Sequence, residues 1–144
     1  CQAFEDLTGD TLTQAADDGK VYIEYRPFEL LSQFGPYSSQ AANAFRAVWQ
    51  ESGDAEAKKM HDLLFAQQPP EEGPFPDAEW LIDRAVEAGA EEDETFMDWV
   101  DDATQDALDV PVRGTPTVYL DGKILDQGSL EDRANKIFAA IGAS

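Results

Sequence analysis

Few residues in this chain can do covalent chemistry, because its 144 residues include one cysteine, Cys1, and one histidine, His61. A zinc or copper site needs several nitrogen or sulfur ligands, so one Cys and one His far apart in sequence predict no metal site. No serine stands in a nucleophile-elbow pattern, which excludes a recognisable Ser-His-Asp arrangement, and no Gly-rich phosphate loop is present. His61 falls between Met60 and Leu64 on an expected helix and reads as a structural or surface residue. That leaves the thiol. A thiolate is a nucleophile that exchanges with disulfides, but one cysteine cannot cycle a disulfide within its own chain. Glu5, one helical turn after Cys1, reads either as an acid facing the thiol or, at least as readily, as a solvated helix carboxylate.

The second chemically informative stretch is Val112-Arg113-Gly114-Thr115-Pro116-Thr117-Val118-Tyr119-Leu120-Asp121-Gly122-Lys123. Thr117–Leu120 and Lys123–Leu125 are short β-type runs separated by Asp121-Gly122, the strongest short-range hairpin signal. Pro116 stands just before the first run, where its missing N–H breaks no central ladder. Gly114, Thr115 and Pro116 therefore read as a binding edge. The Thr115 backbone is placed to pair with an extended substrate segment as an added strand would. On base rates alone Pro116 is a trans proline that starts a strand; a cis bond is the rarer alternative.

The elements that must position these groups are set by periodicity. Phe4, Leu7, Thr11, Leu12 and Ala15 recur at helical spacing, which puts Cys1 at a helix start, with Gly19 closing the helix. Val21–Arg26 alternates like a half-polar edge strand, with Val21, Ile23 and Tyr25 on one face. Pro27 ends it, and Phe28-Glu29-Leu30-Leu31 leads to a Gly35-Pro36 turn. Nearly all of the chain from there to the hairpin is helical in pattern. Ser38 or Ser39 is expected to cap a helix carrying Ala41, Ala44, Phe45 and Val48, and Asp54 one carrying Ala57, Met60 and Leu64. Asp77 opens a helix with Leu81, Ala85 and Ala88 that ends at Gly89. Residues 91–108 carry Phe96, Val100, Ala103 and Ala107 on one stripe, with acids in the first turn. Ser129-Leu130-Glu131-Asp132 is a capping-box pattern before Ala134, Ile137, Phe138 and Ile141. Trp49, Trp80 and Trp99 sit at helical positions compatible with a core.

The segment Val-x-Gly-Thr-Pro-Thr-Val, with its hairpin and terminal helix, resembles the cis-proline segment of thioredoxin-fold proteins, most closely the DsbA-like thiol-disulfide oxidoreductases. Cys1-Gln2-Ala3-Phe4-Glu5 resembles the second cysteine of their Cys-x-x-Cys motif together with the residues just after it. Ser38–Ala44 and His61–Gly73 resemble their helical part. The resemblance implies an α/β, thioredoxin-like fold with an inserted helical domain: residues 1–35 and 111–144 form the thioredoxin-like parts and 36–110 the insertion. It implies a cis Thr115-Pro116 bond, catalytic roles for Cys1 and Pro116, substrate binding by Thr115 and Gly114, and Glu5 as an active-site acid. The central first strand and first active-site cysteine of that pattern are absent from this chain, and swapping or dimerisation is one source of the strand. A lone Cys1 fits truncation, a natural single-cysteine relative, or the lipid-modified mature N-terminus of an exported lipoprotein. The amphipathic helix that begins at once favours the first.

The function this implies is thiol-disulfide exchange on exported proteins. The alternative is a non-catalytic module that binds peptides or proteins through the Thr115-Pro116 edge. Partners are thiol- or disulfide-containing proteins or peptides, no cofactor is implied, and the location is extracytoplasmic, with any anchor upstream. With 42% hydrophobic residues the chain can bury a sizeable core. Its 10 basic and 30 acidic residues give a formal charge of -20, which repels nucleic acid and anionic membranes and reads as a solvated, salt-tolerant or secreted surface. No membrane contact is expected from this segment.

Overall fold

A computed structural model of the chain describes residues 1–27, 32–91 and 114–143. Its elements are α1 (Gln2–Asp17), a 3-10 turn (Ser32–Phe34), α2 (Tyr37–Ser52), α3 (Asp54–Ala66), α4 (Ala78–Ala88), β1 (Tyr119–Leu120), β2 (Lys123–Ile124) and α5 (Leu130–Ile141). The expected helix over 91–108, Trp99, the 28–31 lead-in and Val112-Arg113 lie outside the described residues. The chain divides into two compact units, Cys1–Tyr25 with Val110–Ser144, and Arg26–Asp109.

The contiguous unit is built on α2, α3 and α4, which pack on one another. Ala44, Ala47, Ala85, Ala88 and Ala90 are buried and let the backbones approach, while Val48, Met60 and Leu81 fill the remaining space at 0% exposure. Burying each large side chain contributes about 1.5 to 3 kcal/mol. Two helix starts differ from expectation. α2 begins at Tyr37 because Pro36 already has helical dihedrals (φ -79, ψ -9), so neither Ser38 nor Ser39 is the cap. α3 is preceded by Gly53 at φ 97, and Asp54 is its first residue. The Asp54 carboxylate instead accepts a hydrogen bond from Trp49 Nε1 at 2.8 Å. Trp49 is accordingly half exposed, a clasp between two helices rather than a core residue. Asp77 caps α4 as its sequence position predicts, accepting from Trp80 N at 3.1 Å, and Gly89 ends it in the left-handed region. The Tyr37 ring stacks on Phe75 at 5.5 Å, and burial pushes its phenol up to about 12. His61 is buried with its ring 4.7 Å from that of Phe65, and the Gly73–Pro74 bond is cis.

In the discontinuous unit α1 packs against α5. Phe4, Ala15, Ala134 and Ile137 are buried, joined by Thr8 rather than the expected Leu7, which is 38% exposed. Thr8 tolerates burial because its hydroxyl donates to Phe4 O at 2.8 Å, so no polar atom is stranded. The capping box of α5 is complete: Asp132 N donates to Ser129 Oγ and Ser129 N donates to Asp132 Oδ2. The hairpin turns through Asp121 (φ 49) and Gly122 (φ 75), both in the left-handed region that a tight two-residue hairpin loop requires. Its register pairs Tyr119 with Ile124 and Leu120 with Lys123. Leu125 N donating to Val118 O at 2.8 Å extends the ladder by one bond.

Val21–Arg26 does not form the expected strand. Half-buried Val21, Ile23 and Tyr25 do alternate with exposed Tyr22, Glu24 and Arg26, so the period-two pattern survives. A strand also needs a paired neighbour, and β1–β2 is the sole ladder among the described residues.

Candidate functional site

Cys1 is the N-cap of α1, which places the sulfur at the end of a helix where backbone N–H groups point outward. Its carbonyl accepts from Phe4 N at 2.8 Å and Glu5 N at 3.1 Å, starting the helix without help from the side chain. The thiol is free and half-buried. Phe4 and Thr8, three and seven residues on and so on the same face of α1 as Cys1, are buried. Glu5 occupies the first turn, half-buried, where a carboxylate complements the helix dipole.

The second part of the candidate site is the loop Gly114–Pro116. Gly114 and Pro116 are half-buried, Thr115 is exposed, and the Thr115–Pro116 peptide bond is cis. Among the described residues nothing lies within 4 Å of a Cβ placed on Gly114. The loop is closed by a residue whose sequence pattern marks it only as the start of a strand: Thr117 Oγ1 donates to Gly114 O at 2.5 Å. The pattern that could have revealed it is a threonine three residues after a loop carbonyl, a common local side-chain to backbone bond.

Cys1, Glu5, Gly114, Thr115 and Pro116 all belong to the discontinuous unit, whereas His61, Trp49 and Trp80 belong to the helical one. The two segments that carry the residues read as a thiol site thus fall in one compact unit, joined by the packing of α1 on α5. Chemically, the free thiol of half-buried Cys1 at a helix start can be sulfenylated, alkylated or exchanged with a disulfide, and the exposed Thr115 can meet an extended peptide. Among the described residues no three or more His, Cys, Asp or Glu side chains come together to hold a metal ion. No helix among them is long and apolar enough to cross a membrane.

A family model described as thioredoxin matches residues 1–138. The oxidised crystal structure of Mtb DsbA is 31% identical, with a TM-score of 0.78, over 99% of this chain and 76% of that one. The reduced form of the disulfide bond oxidoreductase DsbG from Mycobacterium tuberculosis is also 31% identical, with a TM-score of 0.80, over 99% of this chain and 72% of that one. No curated protein gives a significant match. The cysteine that opens α1, the proline loop feeding a hairpin and these two likenesses agree: the chain belongs to the thioredoxin family and is DsbA-like.

Proposed function

We propose that the chain exchanges disulfides with exported, cysteine-containing proteins outside the cytoplasm, using Cys1 as a reacting thiol and the Gly114–Pro116 edge to hold the substrate backbone. The observation that carries this reading is the free, half-buried Cys1 sulfur at the start of α1, in the same compact unit as the exposed Thr115. In the exchange a thiolate attacks one sulfur of a disulfide, a new S–S bond forms, and the other sulfur leaves as a thiolate. Cys1 takes the resolving role, attacking the mixed disulfide between substrate and a second cysteine supplied from upstream or by another molecule. Glu5, on the same first turn, is the acid proposed to serve the departing thiolate.

The test is a peptide whose one cysteine is activated as a mixed disulfide with thionitrobenzoate. Cys1 attack forms a Cys1–peptide disulfide and releases the coloured thionitrobenzoate anion, and Cys1→Ser must abolish that release. Peptide binding without release, unchanged in Cys1→Ser, would favour the alternative of a non-catalytic binding module. One observation keeps that alternative in view: the sequence holds no second cysteine. A swapped or dimeric assembly belongs to the same proposal and is checked by sedimentation.

A further inference from the structure

Resting on that reading, we propose that Thr117 is the positioning residue of the substrate edge: its hydroxyl, by bonding Gly114 O, holds the Thr115 backbone in the form that an extended peptide can pair with. Two bonds pin the segment. At its start Thr117 Oγ1 bridges back three residues to Gly114 O at 2.5 Å. On its far side Val118 O accepts from Leu125 N at 2.8 Å and ties the same strand to the hairpin. Thr115 lies between the ends of the first bridge and is exposed, while Gly114, Pro116 and Thr117 around it are half-buried. No described residue lies within 4 Å of a Cβ placed on Gly114, so no described side chain packs there to hold the loop. The Thr117 hydroxyl instead holds it through the Gly114 carbonyl, and Thr115 is the exposed residue between them.

A hydroxyl that sets the loop before the substrate arrives removes part of the ordering cost of binding, which raises affinity without touching the bond that reacts. The effect must therefore fall on peptide saturation and not on the chemistry at Cys1. In the thionitrobenzoate assay, Thr117→Val keeps the branched shape and deletes the donor. Its half-saturating peptide concentration should rise about fivefold, the worth of one ordinary hydrogen bond. Its limiting rate, and its rate with the free dinitrobenzoate disulfide that has no peptide backbone, should stay at wild-type values. Thr117→Ser, which retains the donor, should restore peptide saturation. Should Thr117→Val fail to melt cooperatively, Thr117→Ser against Thr117→Ala makes the same comparison. Wild-type saturation in the variant lacking the hydroxyl, or a Ser variant as weak as Val, overturns the assignment while leaving the thiol chemistry standing. If wild type shows no saturation and reacts with peptide no faster than with the free disulfide, the peptide edge does not exist and the functional reading falls with it.

Discussion

Removing the Ser129 hydroxyl probes the helix that supports α1 and therefore the cysteine at its start. In Ser129→Ala the backbone N–H of Asp132 loses its acceptor at 3.1 Å, while the return bond from Ser129 N to Asp132 Oδ2 at 2.9 Å can persist. Loss of an N-cap side chain costs about 1 kcal/mol, with measured cases from about 0.5 to 2. For a chain of this size that is a fall of about 4 °C in melting temperature. The partner residue adds a pH signature. The Ser129 N–H, then the Ser129 hydroxyl, hold the Asp132 carboxyl below its ordinary 3.8. The folded chain thus binds that proton less tightly than the unfolded one. The contribution of Asp132 is fully present above 3.8 and drains away as pH falls through the lowered native value. Thermal melts followed by circular dichroism, at neutral pH and in acid, decide the matter. Asp132→Asn should destabilise at neutral pH and be close to silent once the wild-type carboxyl is protonated. An Asp132→Asn penalty of equal size in both conditions, or a Ser129→Ala melt matching wild type at neutral pH, would refute the reasoning.

Leu81, at 0% exposure among Met60, Val48 and three alanine-lined helices, should on replacement by Ala cost about 3 to 5 kcal/mol in the helical unit, read by urea unfolding. Because Tyr37 is held neutral by burial, unfolding releases its proton in alkali. Stability should decline as pH rises from 10.0 toward about 12, and Tyr37→Phe should flatten that decline in alkaline denaturation curves. The charge of -20 opposes compaction, so raising salt from roughly 0.01 to 1 M, which shortens the screening length from about 30 to 3 Å, should raise the melting temperature; a fall would point to specific ion pairs as the larger influence.

Features set by neighbours in sequence were the legible ones. The Asp77 cap, the Gly89 stop, the Ser129–Asp132 box and the Asp121-Gly122 turn each depend on groups three or four residues apart, and each forms where the pattern predicts. Cys1 at a helix start is of the same kind. Features that depended on a distant partner or on competition were not legible. Val21–Arg26 displays its two faces in its alternation, but nothing in those six residues says which strand, if any, lies beside it. Asp54 is an able capping residue whose carboxylate is claimed by the indole of Trp49, and Pro36 starts α2 before either serine can. Thr8 replaced Leu7 in the core because a local hydroxyl-to-carbonyl bond made a polar side chain acceptable there, a choice hydropathy alone ranks wrongly. In the candidate site, the cysteine and the proline stand out by type, whereas Thr117 looks like one more β-branched strand former.

The division of the chain also bears on how it must fold. The unit that carries Cys1 and Thr115 is made from two separated pieces, Cys1–Tyr25 and Val110–Ser144, with the whole of Arg26–Asp109 between them. Joining those pieces while the roughly 80 intervening residues are still a flexible coil costs about 4 kcal/mol in its length-dependent part alone. A two-stranded hairpin and two helices offer little with which to offset it early. The helical unit faces no such delay, since α2, α3 and α4 succeed one another in sequence and meet through short connections. Contacts that are near in sequence form sooner. The expected order is that the helical unit condenses first and shortens the flexible coil between the two pieces, after which those pieces of the thiol-bearing unit come together. During synthesis Cys1 would then wait, solvent-accessible and without its unit, until Val110–Ser144 had been made.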